Sequence, residues 1–580
     1  MKTLSVSPAS ILSRPALLAV ASLIHLAAVP AAAAPIAAAR HEHSEFDATL
    51  SAPYQGDGRG QPDARTFTLS FDYPGLRKRL GAQWQLALLA PNGRILQRWQ
   101  GRVTLAGQPR EVTVRWPGQL AGRKPASGVY RVRMRAGAGA DTVEQSWDIA
   151  VGHLPAPALP AFSPLPTARP GVQAAPAPSA LPYTVYYGNL HSQTSHSDGG
   201  APLDDCKGAQ EPRSAPNGPE VAYPYARAHG LDFLMVSEHN HMYDGSEGTD
   251  QDADPAAAKS LYQGGLQAAR AFNAAHPGFL ALYGMEWGVI SKGGHLNIFN
   301  SDELLGWEKN GRGELLADTA TARSDYAALY TLMRERGWIG QFNHPSTGGQ
   351  FLVDGVALGY TADGDQAMAL CEVMNTSAFS TDDKEGEKRR SNYEQACGKA
   401  LEAGFHVAFS TNQDNHCANW GAAYGNRTAV LLPNGVPLAR DSFVDALRAR
   451  RVFATMDKHA QLVFTANGHL MGERFDNSGP LVLKTHYASD AGKRVAAVAV
   501  MEGVPGRNGT VTQAADAADL TLTPAPGAHF YYVKVTQDDG NILWSAPVWV
   551  NQVAREAPGK PDESGKSGKP GGQGESTTGR

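Results

Sequence analysis

Between residues 183 and about 460 the chain alternates short apolar runs with amphipathic ones, and this alternation limits its fold more than any other feature. The apolar runs are TVYYGNL (184–190), DFLMVS (232–237), FLALYGM (279–285), HLNIFN (295–300), WIGQFN (338–343), MALCEVMN (368–375) and HVAFS (406–410). Between most of them lie PEVAYPYARAHG, AAAKSLYQGGLQAARAFNAAH, RSDYAALYTLMRERG and SNYEQACGKALEAG, with apolar residues at helical spacing and a Gly or His near each end. Strands alternating with helices of this length predict an α/β fold with a mainly parallel sheet. Seven such strands predict a closed or nearly closed barrel, with its chemistry at the C-terminal ends of the strands.

Composition shifts divide the rest. Lys2 and Arg14 precede an apolar, alanine-rich stretch that predicts a signal peptide over residues 1–34, and hence export to a bacterial periplasm or beyond. TFTLSFDY, WQLALLA, REVTVRW and VYRVRMRA alternate apolar and polar residues and predict a β-sandwich over 45–153. A Pro/Ala-rich linker (154–182), the barrel (183–460), a second β-sandwich (461–553) and a disordered tail (554–580) complete the expected order. No later run is long enough to span a bilayer. The net charge of −4 offers no basic footprint for nucleic acid. The sequence leaves oligomeric state open.

Polar chemistry follows the strand ends. After the first run stand His191, Gln193, His196 and Asp198; after the second, Glu238, His239 and His241. The third runs into Glu286, His295 opens the fourth, His344 closes the fifth, Glu372 lies in the sixth, and Asp414 and His416 follow the seventh. Solvated polar residues scattered at random would not track strand ends in this way. Imidazoles mixed with carboxylates suit zinc, manganese or iron, and there are too few all-oxygen positions for a calcium cage. Glu286 could bridge, so two or three divalent ions are expected. His229, His276, His406 and His459 fall away from the strand ends and read as ordinary structural histidines. His196 and His241 stand near ligands without being assigned as such.

The ordered motifs NLHSQTSHSDG, DFLMVSEHN, LYGMEWG, GGHLNIF, FNHPS, CEVMN and STNQDNH resemble the PHP (polymerase and histidinol phosphatase) superfamily over roughly half of the chain. The resemblance implies a distorted seven-stranded β/α barrel and a three-metal centre that hydrolyses phosphoesters. It implies one metal on His191, Glu286 and Asp414, a second on Glu286, His295 and His344, and a third on Asp198, His239 and His416. Gln193 stands where the family usually has histidine, and Glu238 where it usually has aspartate, as an orienting residue. Gln193 and the closing ILWSAPVWV are similar to the exported branch grouped with carbaryl (aryl carbamate) hydrolases.

No serine elbow, P-loop or supported Cys/His pair is present, so water activated by metal ions is the expected nucleophile. His241, His196 or Asp198 would manage the leaving-group proton, and Lys292 and Arg427 would neutralise a phosphate. The expected function is an exported phosphoesterase acting on a small-molecule or other phosphoester substrate. The alternatives are a carbamate, ester or amide hydrolase with Trp287, Trp420 and Tyr424 as an aromatic wall, and a non-catalytic, metal-stabilised protein whose sandwiches engage carbohydrate or a cell surface. Barrel closure would bring the first and seventh strand loops together and predicts a Cys206–Cys417 disulfide. Cys371 and Cys397 are either a second bridge or two buried thiols.

Overall fold

All seven apolar runs of the central region fold as strands: β8 (Tyr183–Asn189), β9 (Phe233–His239), β10 (Leu280–Trp287), β11 (Leu296–Ile298), β12 (Gly340–Phe342), β13 (Met368–Thr376) and β15 (Ala408–Thr411). The computed structural model describes residues 46–554 apart from 59–60, 74–75, 77, 169–180, 290–293, 324, 346–351, 354–355, 358–359 and 508–510. The expected signal peptide, part of the linker and nearly all of the tail lie outside the described residues. Every residue of β9, β10 and β13 is buried, as expected for strands covered on both faces. The four expected helices also form, as α1 (Pro219–Ala228), α2 (Pro255–Ala275), α3 (Tyr326–Arg336) and α5 (Glu394–Ala403), with a short α4 (Ala362–Ala367) between the last two. Asp254 caps α2 by accepting from the Ala256 amide, with Pro255 in the first turn.

The expected seven-stranded β/α barrel is absent. Among the described residues strand accounts for 41% and helix for 14%, and the central strands belong to an open sheet of 16 strands. Two local causes prevent closure. First, β10 and β11 are joined only by residues 288–295, too few for a crossover of about a dozen residues or more, so β11 runs antiparallel to β10 and to β12. Second, the outer edge of β8 is taken by β16 (Arg427–Pro433), antiparallel, while β15 pairs with β13 rather than with β8. From β16 the sheet continues through β17 (Val452–Thr455) into carboxy-terminal strands. The other edge ends in β14 (Arg390–Asn392), which follows β13 antiparallel.

Seven strands precede the linker: β1 (Asp47–Ser51), β2 (Arg65–Asp72), β3 (Leu80–Leu89), β4 (Ile95–Leu105), β5 (Arg110–Trp116), β6 (Gly128–Ala138) and β7 (Asp141–Val151). They make two sheets, β1-β2-β5 and β4-β3-β6-β7, closing over Phe67, Leu69, Trp84, Leu86, Val132 and Met134. After α6 (Arg440–Arg448) and β17, β18 (Ala460–Ala466) and β19 (Leu481–Ser489) join a four-stranded sheet. By contrast β20 (Val495–Gly503), β21 (Gly527–Gln537) and β22 (Ile542–Ser545) extend the central sheet, with β23 (Val548–Gln552) beside β21. The amino-terminal unit docks through β7. Asp148 accepts from the Lys534 ammonium on β21 at 2.8 Å, the Arg390 guanidinium lies 5.4 Å from the Trp147 ring centroid, and the Asn392 amide donates to Gln145 at 2.7 Å. Among the described residues no helix is long and apolar enough to cross a membrane.

Candidate metal centre

The C-terminal ends of β8, β9, β10, β12, β13 and β15, and the start of antiparallel β11, converge on one buried cluster. Close approach is written into β8: a Cβ on Gly188 would stand 2.2 Å from the Phe233 carbonyl oxygen of β9. Beyond β8 the chain is fastened to the loop after β15, with the Gln193 amide donating to the Asn415 carbonyl at 2.8 Å. The Leu190 amide likewise donates to the Asn412 side chain at 2.8 Å. Glu238, the penultimate residue of β9, holds the same loop from below: it accepts from the Thr194 amide at 3.0 Å, the Ser197 hydroxyl at 2.5 Å, and the Thr194 hydroxyl. Burial pushes the Glu238 carboxyl up to about 7. Glu238 therefore positions the ligand-bearing loop.

Glu286 is the hub. Its Oε1 lies 3.0 Å from His191 Nε2, 2.9 Å from His295 Nδ1 and 3.2 Å from His344 Nε2, and accepts from the Asn343 amide at 2.8 Å. Its Oε2 accepts from the Gln193 amide at 2.6 Å and stands 3.5 Å from His239 Nδ1. A carboxylate oxygen has two lone pairs, so four nitrogens around Oε1 exceed what hydrogen bonding can satisfy. A cation among the imidazoles resolves the excess. Three groups have ligand atoms within 4.8 Å of one another: His191–Glu286–His344, His239–Glu286–His295 and Asp198–His239–His416. The third group is the same set of residues as the expected third site. The first two regroup the expected sites, pairing His344 with His191 and His295 with His239. Asp414 stands beside the first group, 3.1 Å from His191 Nε2.

Neighbours set the orientation of each ring. Glu372 takes His191 Nδ1 at 3.2 Å, leaving Nε2 aimed at the cluster. It also accepts the His344 amide at 2.6 Å and is held by Asn412 at 3.0 Å and Asn375 at 3.2 Å. His416 Nδ1 faces the Asp414 carbonyl at 2.9 Å, which turns Nε2 toward Asp198 at 3.5 Å. Burial favours neutral His416, but Asp198 and Asp414 outweigh it and hold the ring up to about 9. Likewise burial would raise the Glu286 carboxyl, yet His191 and His295 hold it well below the usual range. These carboxylates favour positive charge at the rings, which divalent ions would supply in place of protons. Asp414 (φ 51°) and His344 (φ 26°) both adopt left-handed backbone, a cost concentrated at the cluster.

Other expected residues are placed elsewhere. His196 turns its Nδ1 to the Tyr283 hydroxyl at 2.7 Å, and burial pushes its ring down to about 4. His241 stacks on Trp307 with centroids 5.8 Å apart and stands 5.9 Å from His239, beside the cluster but in none of the three groups. Lys292 lies outside the described residues. Arg427 is corrected: its guanidinium is buried, pairs with Glu385 at 3.0 Å and donates to the Tyr424 and Asn426 carbonyls, so its charge is already met. The suggested aromatic wall is committed as well. Trp287 and Trp420 are fully buried, donating to Thr321 at 2.9 Å and to the Gln193 carbonyl at 2.8 Å, and the Tyr424 hydroxyl donates to Asn541 at 2.8 Å.

Asn343, which touches both Glu286 and Asn297, and the buried amides Asn189, Asn375 and Asn412 also belong to the cluster's surroundings and were not expected there from sequence. Asparagines inside otherwise apolar strand runs were the available signal. The Cys206–Cys417 disulfide is present, across 211 residues, and Cys371–Cys397 is a second. The first forms without barrel closure, because the two loops pair directly through parallel bridges Ser192–Asn415 and Ala201–Cys417. Both disulfides fit an exported protein.

No family model matches the chain, and no curated protein matches it. Among solved structures, a β-glucuronidase from Bacteroides uniformis is similar at 9% identity and TM-score 0.15, covering 87% of this chain and 61% of that one. A glycosyl hydrolase family 2 member from Bacteroides cellulosilyticus is similar at 10% identity and TM-score 0.14, covering 86% of this chain and 63% of that one. This chain thus spans less than two thirds of either protein. Superpositions this loose assign neither fold nor function.

Proposed function

We propose that the protein is an exported, metal-dependent hydrolase with a PHP-type centre of two or three zinc, manganese or iron ions, and that its substrates are phosphoesters. The observation that carries this reading is Glu286, fully buried and met at one oxygen by His191, His295 and His344 within 3.2 Å. Ions held there would supply a Lewis acid for the scissile group and lower the pKa of a water. The chain itself supplies orientation: Glu372 fixes His191 and the His344 backbone, and the Asp414 carbonyl fixes His416. Side-chain exposure is 13% at His344 and 6% at Asp414, against 0% for His191, His239, His295 and His416. Substrate therefore approaches from the His344–Asp414 side. Elemental analysis of protein purified without chelators should find at least two transition ions per chain. Glu286→Gln should lower that number and abolish turnover of p-nitrophenyl phosphate or its bis ester; full occupancy and full turnover would overturn the assignment.

The second reading, a carbamate or ester hydrolase on the same centre, draws support from Arg427. With its charge met by Glu385, this arginine is not available to a phosphate. Faster metal-dependent turnover of a naphthyl carbamate than of either phosphate ester would favour it.

A further inference from the structure

The amino-terminal unit differs in charge from the rest of the chain. Residues 46–153 hold 15 Lys+Arg against 8 Asp+Glu, a net charge of +7 within a chain of −4. Arg98, Arg102, Arg131, Arg133 and Arg135 lie on the face of the β4-β3-β6-β7 sheet turned away from the sandwich core. Among the described residues that face meets the body only along its β7 flank, through Asp148 and Lys534. On this face β3 carries Gln83, Gln85 and Ala87, flanked on β4 by Arg102, Gln100 and Arg98 and on β6 by Gly137, Arg135 and Arg133. Arg131 and Arg135 have acidic partners on β7, Asp148 and Glu144. Arg98, Arg102 and Arg133 have none among the described residues. Arg98 and Arg133 face each other across Ala87, two strand spacings or about 10 Å apart. Ala87 itself is covered, while Arg98 is exposed and Arg133 half-buried on either side of it. At that spacing their mutual repulsion is largely screened at physiological salt, where the Debye length is about 8 Å, and the two guanidinium groups, without acidic partners among the described residues, can meet one anionic chain together.

We propose that this face is a docking surface for an acidic, carboxylated polysaccharide. Arginine binds carboxylates through two parallel N–H groups, and exposed Gln83, Gln85 and Gln100 offer amides to sugar hydroxyls. The aromatic residues of these strands, Trp84, Trp99, Tyr130 and Trp147, are buried, leaving no platform for stacking nucleic-acid bases. The large hydrophobics exposed among the described residues are Val221, Tyr360 and Val553, all outside this unit, so the face has no apolar group to insert into a bilayer. The proposal does not depend on the metal centre or on hydrolysis.

The test is affinity electrophoresis of the full chain in gels containing polygalacturonate, with dextran as the neutral control. Wild type should be retarded by polygalacturonate at about 50 mM salt, much less at about 300 mM, and not by dextran. Arg98→Glu/Arg102→Glu/Arg133→Glu should weaken binding at least about tenfold with an unchanged circular-dichroism melt, while Arg110→Glu/Arg123→Glu, off this face, should change it less than about twofold. If the triple reversal fails to fold, Arg98→Gln/Arg102→Gln/Arg133→Gln replaces it, with the same loss expected. Equal weakening by the two sets would reduce the effect to net charge and overturn the proposal. So would the absence of retardation, or binding to phosphatidylglycerol vesicles without binding to the polyuronate.

Discussion

At the scale of single residues, the centre depends on groups whose freedom is removed by neighbours. Gln193 shows this most clearly. Its amide nitrogen donates to Glu286 while its oxygen, fully buried, has no hydrogen-bond partner among the described residues, a costly state unless a cation or substrate meets it. Gln193→Ala should weaken retention of one ion by roughly tenfold, as loss of an outer partner does at other metal sites. Gln193→His should tighten it, since imidazole is the better donor to these metals. Unchanged metal affinity in both variants, read by competition with a chromophoric chelator, would remove Gln193 from the centre. Glu372 acts through His191 and His344. Glu372→Gln keeps the side chain's shape but removes its charge, and should lower metal affinity by about tenfold or more while the thermal midpoint shifts little.

At the scale of elements, the short β10–β11 connection and the two disulfides decide how the ligands meet. The reversal of β11 puts His295, at its start, on the same side of the sheet as the ends of the parallel strands. A right-handed crossover would have carried it to the opposite side. The Cys206–Cys417 disulfide joins the loop bearing Asp198 to the residue after His416, so it fastens the Asp198–His239–His416 group. Cys206→Ser/Cys417→Ser should lower stability by roughly 5 kcal/mol in the chain-entropy model. It should also release the ion of that group before the others, as read by elemental analysis after graded chelation. Full metal retention with an unchanged melt would show that the loops are held by their backbone bridges alone.

At the scale of the whole molecule, the amino-terminal sandwich is locked to the body by a buried charge cluster. Burial would raise the Asp148 carboxyl, but Lys534 and Arg131 beside it hold it well below the usual carboxylate range. A carboxyl depressed in the folded state contributes stability above its unfolded value of about 3.9 and loses it as pH falls toward the folded value. Docking of the sandwich should therefore be fully strong above about pH 5 and weaken progressively below about pH 4. Asp148→Asn should cost roughly 3 kcal/mol at neutral pH, because Lys534 loses its nearer partner, and should flatten the acid limb of the stability curve. An acid limb unchanged in Asp148→Asn would place the linkage elsewhere.

The sequence by itself determined the seven central strands, the four named helices and the segregation of His, Asp and Glu to strand ends. Strand and helix periodicities are local, and a ligand following an apolar run is legible without knowing its neighbours. The Cys206–Cys417 pair was also anticipated, although from barrel closure rather than from the loop pairing that brings it about. Only the tertiary structure decided that the sheet stays open. RTAVLLP and VFAT become β16 and β17, and their edge pairing competes with closure in a way no single run reveals. Tertiary packing also decided which imidazoles share an ion and which turn away. His196 and Arg427 lie close in sequence to cluster residues, yet a tyrosine hydroxyl and a glutamate claim them, because a buried polar group takes the partner its backbone position brings within reach.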